Sequence, residues 1–379
     1  MFPAKRIKFS VDVMKHGSLG QLLLVGVRGP ELDAEEARLL RRVQPGGFIL
    51  FGRNIKTPAQ LRKLIDDLRE ISATEPIVTI DQEGGRVSRL RLIGNEPPNA
   101  QQLREKGDAE LIRRHGDITG RLLRLFGFNL DLCPVLDISF DDEADNSLRG
   151  RCYGKTPAQV IENARAFNEG LRAAGVASCG KHFPGYSAAT LDAHHDLPRI
   201  DRTRSELEGN ELAVFRAFAG EVDSMMICHG WYPIFEVEKM PASLSRSIIT
   251  DLLRGEMRFQ GLIMTDDLDM GAILNQYRFD QTLALAFAAG NDLAMICHRI
   301  DKVAEAVGVL EKLPRKIVDR AMQNGAQFKT KLAAPAAFSE EGFRKIDDEI
   351  WKLRVAVLGE ERAAQRSSED GARSPVELY

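Results

Sequence analysis

LLLVGVRGPELDAEEARLLRRVQPGGFILFGRNIKTPAQLRKLIDDLREISATEPIVTID, residues 22–81, carries the repeat that decides the fold. Leu22 to Val27 is a short, almost wholly apolar run, which predicts a strand. Asp33 to Val43 predicts a helix. Gly47 to Phe51 is a second apolar run. Thr57 then caps a helix that has Pro58 at its first position and apolar residues at Leu61, Leu64, Ile65 and Leu68. Ile77 to Asp81 is a third strand. Strands this short and this continuously apolar are buried on both faces. Helices between them imply parallel crossovers.

The alternation continues along the chain. A helix ends near Gly127. Asn129 to Ile138 is a fourth strand, irregular at Pro134, and Pro157 opens a helix through Ala174. Further strands are expected at Val176–Cys179, Met225–His229, Gly261–Asp266 and Asp292–Cys297. Helices follow at Arg204–Ala219, Ser245–Met257, Phe279–Ala289 and from about Lys302 to Leu313. Eight β–α units in a chain of 379 residues predict an α/β fold, a single-domain (β/α)8 TIM barrel. The runner-up, a doubly wound open sheet, lacks a G-x-G-x-x-G after its first strand. The expected organisation is an N-terminal arm at 1–18, the barrel at 19–335, a C-terminal helical extension at 336–358 and a disordered tail at 359–379. Phe343, Ile346, Ile350 and Leu353 place the extension's apolar side on the barrel.

Composition narrows the function. The 52 basic and 55 acidic residues give a net charge of −3, which argues against nucleic acid as a partner. The basic N-terminus has no apolar core of a signal peptide, and no early apolar run is long enough to span a bilayer. The five cysteines form no CxxC pair. They read as small buried hydrophobes in a reducing compartment, not as disulfides or a zinc site. A cytoplasmic enzyme with no membrane partner, no metal and no cofactor is the expectation. The sequence does not set the oligomeric state.

Barrel enzymes carry their chemistry where strands end. Here the strand ends bring Asp81 through Arg89 (DQEGGRVSR), Asp137, Arg149 and Arg151, Lys181 and His182, His229, and Asp266 through Met270 (DDLDM) to one rim. Asp266 closes an apolar strand, and period-two alternation puts it on the side of Met264 and Leu262. A bland reading makes it a helix cap or a strand-end ion pair. Cations on the same rim favour an ionised carboxylate competent as a nucleophile. Asp81 and Arg89 suit a polyhydroxylated ligand. Lys181 is a charged donor or, alternatively, a Schiff-base lysine. The segment Gly180–Pro198, GKHFPGYSAATLDAHHDLP, adds Asp192, His194, His195 and Asp196 within five positions.

These residues, in this order, resemble glycoside hydrolase family 3, and within it the single-domain bacterial β-N-acetylglucosaminidases. The matching segments are ILFGRN (49–54), IDQEGGRVSRL (80–90), CPVLDI (133–138), RCYG (151–154), AGVASCGKHFPG (174–185), DAHHDLP (192–198) and FQGLIMTDDLDMGA (259–272). The resemblance implies a retaining, exo-acting hydrolysis of terminal β-linked N-acetylglucosamine, with cell-wall (peptidoglycan) fragments as substrate. It implies Asp266 as nucleophile, Asp192 and His194 as the acid/base pair, and Asp81, Arg89, Arg151, Lys181 and His182 as sugar-binding residues. His195 competes with His194 for the proton. The chain departs from the subgroup at Tyr186-Ser187, where His-Gly is usual, and at Ala193, where Ser is usual. Losing a glycine there predicts a stiffer base for the segment that follows. A glycosidase for non-acetylated sugars and a sugar-binding homologue without turnover are the alternatives.

Overall fold

The computed structural model of the chain describes residues 18–143, 146–189, 193 and 196–367. Eight parallel strands close into a barrel. They are β1 (Leu23–Gly26), β2 (Gly47–Leu50), β3 (Ile77–Ile80), β4 (Leu130–Asp131), β5 (Ala177–Phe183), β6 (Ser224–Ile227), β7 (Leu262–Asp267) and β8 (Leu293–Ile296). Each pairs with its neighbour in sequence, and β1 closes on β8 through Leu23 opposite Ala294.

Local signals explain the elements. The Asp33 carboxylate accepts from the Glu35 and Glu36 N–H groups at the first turn of Ala34–Val43. Thr57 and Gln60 form a reciprocal capping box ahead of Pro58–Glu70. Gly127, at φ +99°, ends Ala109–Phe126 in the left-handed conformation that glycine tolerates.

Alternation along the strands sorts the core into two parts. Leu24, Ile49, Ile77, Leu130, Cys179, Met226, Leu262, Met264, Leu293 and Met295 fill the barrel interior. The intervening residues, such as Leu23, Val25, Val78 and Ile263, pack outward against the helices. Phe328, from the helix Arg315–Lys329, joins the interior cluster. With Leu332 packed against that cluster, it stoppers the barrel from below.

Several expectations need revision. The fourth strand is two residues long. Pro134 has no N–H to give to the ladder, so beyond it contact with β5 is an isolated bridge, Val135 with Lys181. The fifth strand runs past Cys179 to Phe183, so Lys181 and His182 lie within it and not beyond its end. Asn210 breaks Arg204–Ala219 into two helices. The segment Ser247–Glu256 is wound as a π-helix. The helix expected between Pro98 and Gly127 is two, Ala100–Lys106 and Ala109–Phe126, parted at Gly107, and a helix without a sequence reading, Arg315–Lys329, is present. The C-terminal helix spans Glu340–Leu358. Of the segment expected to be a disordered tail, Glu360–Ala363 forms a helical turn with Ala363 buried, and the chain from 368 onward lies outside the described residues. The arm residues 1–17 lie outside them too. Among the described residues, no helix is long and apolar enough to cross a membrane.

Candidate active site

Period-two geometry lifts polar groups onto the barrel's upper rim directly above the apolar filling. Asp81 follows Ile77 and Thr79 in β3. Lys181 follows Cys179 in β5, and Asp266 follows Leu262 and Met264 in β7. A cavity open to solvent occupies this rim. Met226, Met295 and Leu132 line it from the barrel, and Asp81, Arg89, Arg151, Lys181, His182, His229 and Asp266 line it with polar groups.

The side chains around this cavity form a ladder of alternating charge. Arg89 Nη2 lies 3.9 Å from Asp81 Oδ2. The opposite oxygen, Asp81 Oδ1, is 2.6 Å from Lys181 Nζ. Lys181 Nζ also reaches Glu83 Oε1 at 2.6 Å. Glu83 takes a two-pronged bond from Arg151, Nε to Oε2 at 2.8 Å and Nη2 to Oε1 at 2.7 Å. Arg151 Nη2 then stands 3.4 Å from His182 Nε2. His182 Nδ1 donates to Asp137 Oδ2 at 2.6 Å. A carboxylate oxygen accepts here, so this bond keeps a proton on Nδ1 and fixes the orientation of the ring.

Burial makes this ladder self-dependent. Lys181 is 1% exposed and Glu83 5% exposed. Burial alone would push the Lys181 pKa down, but Asp81 and Glu83 outweigh it and the net shift is upward. For Glu83 burial acts upward, and Arg151 and Lys181 overcome it, holding the carboxyl well below the usual range. A Schiff-base lysine needs a neutral amine. An ammonium clamped between two carboxylates is the opposite arrangement, so the Schiff-base alternative for Lys181 loses its physical basis.

Asp266 lines the cavity at the end of β7, and its Oδ1 accepts the Asp267 N–H at 2.8 Å, which orients the carboxylate. The neighbouring Asp267 serves the scaffold. Its Oδ1 accepts from the Asp269 N–H at 2.9 Å and its carbonyl from His229 Nε2 at 2.8 Å. His229 also bonds Ser243 Oγ at 2.8 Å, so it is a buried brace that forms part of the wall. Asp269 holds Arg299 at 2.6 Å and is likewise structural.

The structure thus brings together Asp81, Arg89, Arg151, Lys181, His182 and Asp266. Asp192, His194 and His195 lie outside the described residues; Ala193 between them is described and lines the same cavity. Two residues that the sequence places on the rim without a role, Glu83 and Asp137, prove central to it. Glu83 stands in a short antiparallel hairpin, Gln82–Gly84 with Val87–Ser88, where a loop was expected. Gly84 and Gly85, both at positive φ, make its turn. The acid in DQEGGRVSR, lying between candidate ligands at 81 and 89, was the available signal. Arg86 donates to the Ser147 carbonyl at 2.9 Å and braces the neighbouring loop. Among the described residues, no group of three or more His, Cys, Asp or Glu side chains is placed to hold a metal ion.

Comparison with known proteins agrees with this geometry. The family model for the glycosyl hydrolase family 3 N terminal domain matches residues 15–326. A beta-hexosaminidase of Pseudomonas aeruginosa is 34% identical over 292 residues, covering 77% of this chain and 86% of that protein. A beta-hexosaminidase of Vibrio cholerae is 33% identical over 329 residues, 86% of this chain and 94% of that protein. Among solved structures, a glycoside hydrolase family 3 beta-N-acetylglucosaminidase from Paenibacillus superposes with a TM-score of 0.79 at 32% identity, covering 89% of this chain and 68% of that one.

Proposed function

The chain belongs to glycosyl hydrolase family 3 and is a glycoside hydrolase, and from that premise we propose that it is an exo-acting, retaining β-N-acetylglucosaminidase. The observation that carries the reading is the pairing of one strand-end carboxylate, Asp266, with a fixed ladder of sugar-gripping charges around a pocket closed below by the barrel. The names of the beta-hexosaminidase relatives support an N-acetylhexosamine in that place.

In this mechanism the carboxylate of Asp266 attacks the anomeric carbon while the bond to the leaving oxygen breaks. His194, supported by Asp192, gives that oxygen its proton. A water then attacks the anomeric carbon from the vacated face, passing a proton back to His194 and releasing Asp266. Two displacements at one carbon retain its configuration. Asp192 stabilises the imidazolium and so brings His194 toward the working pH. Asp81, Arg89, Arg151, Lys181 and His182 bind the sugar. Asp81 accepts from hydroxyls, and the cations donate to its oxygens.

The proposed substrates are peptidoglycan-derived fragments with a terminal N-acetylglucosamine. The proposed compartment is the cytoplasm, which the five buried free cysteines suit. Turnover of nitrophenyl β-N-acetylglucosaminide against nitrophenyl β-glucoside tests the sugar. A strong preference for the acetylated substrate is expected; equal or reversed preference would move the protein to the non-acetylated alternative.

A further inference from the structure

Tyr186 stands in the turn that leaves β5, and both its hydroxyl and its backbone N–H are bonded to residues outside that turn. We propose that Tyr186 is a positioning residue for proton transfer, its hydroxyl holding the chain at Ala193 and its backbone fixed on the carboxylate that sets the His182 ring. The inference rests on the reading of Asp192 and His194 as the acid/base pair, since Ala193 is the residue between them.

Three observations build it. First, the Ala193 N–H donates to the Tyr186 hydroxyl at 2.8 Å, and both residues are nearly inaccessible, 4% and 6% exposed. Second, the Ala193 carbonyl accepts the Ala272 N–H at 3.0 Å. Both backbone groups of Ala193 are therefore tied, one to the segment leaving β5 and one to the segment leaving β7, the strand of Asp266. Third, the Tyr186 N–H donates to Asp137 Oδ1 at 2.6 Å, while Asp137 Oδ2 takes the His182 ring N–H at 2.6 Å. Ser187 Oγ also accepts the Ile138 N–H at 2.8 Å, which docks this turn on the segment after β4.

One buried carboxylate, Asp137, thus serves a sugar-binding ring with one oxygen and the Tyr186 anchor with the other. Ala193 is thereby tied to the sugar site and to the strand of Asp266. Positioned catalytic groups lose rate steeply when displaced. A glycine at 187 or a smaller ring at 186 would not supply the same tether. The Ala193 N–H would be left without its acceptor, a buried donor that costs free energy until the chain shifts.

The test is Tyr186→Phe in the full chain, which keeps the ring and removes the hydroxyl. It is measured beside His194→Ala on two substrates: N,N′-diacetylchitobiose, whose leaving sugar needs a proton, and dinitrophenyl β-N-acetylglucosaminide, whose leaving group does not. For Tyr186→Phe, kcat/KM on the disaccharide should fall roughly tenfold, and on the aryl glycoside by less than about twofold. The limb of the kcat/KM pH profile that reports the acid should move. Equal loss on both substrates with an unmoved profile, or no loss on either, overturns the inference. If His194→Ala shows the leaving-group dependence and Tyr186→Phe does not, the positioning role fails and the acid/base reading stands. If His194→Ala itself shows none, the acid/base reading fails first.

Discussion

Glu83 shows what a single side chain decides here. Its carboxylate is the common partner of Lys181 and Arg151, and all three are buried. Removing one member of a buried ion-pair network leaves uncompensated charge, which costs about 3–5 kcal/mol. Glu83→Gln should therefore lower the urea midpoint by a comparable free energy. It should also raise KM for N-acetylglucosaminides, because Lys181 and Arg151 lose their fixed places. A neutral outcome in both measurements would contradict the ladder. Two other buried groups contribute to the pH dependence of stability. Burial raises the Glu211 carboxyl to about 7, and both its oxygens lack partners. Between the ordinary carboxyl range and pH 7 the unfolded chain has lost this proton and the folded one keeps it, so stability falls as pH rises through that window. Burial lowers His115 to about 3, with both ring nitrogens unpartnered. Below its ordinary value near 6.5 the unfolded chain gains a proton that the folded one refuses, so stability falls as pH drops. The two oppose each other in mildly acid solution. Glu211→Gln should remove the carboxyl's slope: its Tm advantage over the parent grows from pH 5 to pH 8. An advantage constant with pH would contradict the assignment.

At the scale of elements, β5 and the hairpin after β3 build the site, and their legibility differed. The apolar periodicity placed all eight strands, because burial on both faces leaves a composition that few other segments share. Alternation also placed Asp266 correctly above Met264 in the barrel column. The end of β5 was hidden because Lys181 and His182 are polar. Polar residues inside a strand read as a loop unless their carboxylate partners, distant in sequence, are known. The role of Glu83 was hidden for the same reason. The helix Arg315–Lys329 escaped because its apolar face is sparse, Val318, Ala321 and Phe328 being its buried residues. The C-terminal helix Glu340–Leu358 reaches the site indirectly. Arg354 donates to Glu96 Oε1 at 3.0 Å, and Glu96 Oε2 takes Arg91 at 3.1 Å, in the same short turn as Arg89. Arg354→Met strips Glu96 of one cation. It should destabilise the fold by about 3–5 kcal/mol, read by chemical denaturation. Unchanged stability would mean that the extension is not part of the barrel's cooperative unit.

The whole molecule is a closed apolar cylinder with one polar mouth. Phe328 and Leu332 block its lower end, and methionine, cysteine and leucine side chains fill the interior. The proposed exo-action predicts stepwise release of single sugars. Chromatography of a chitotetraose digest should show N-acetylglucosamine and the trisaccharide first. Disaccharide as the initial product would contradict exo-action. The central claim is that Asp266, at the end of β7 and facing the charge ladder, forms the covalent bond to the sugar. Mass spectrometry of peptides after inactivation by a mechanism-based fluorinated N-acetylglucosaminyl donor tests it most directly. The account predicts one glycosyl adduct, on Asp266, and no adduct with Asp266→Ala. An adduct on any other residue, or full activity in Asp266→Ala, would contradict it.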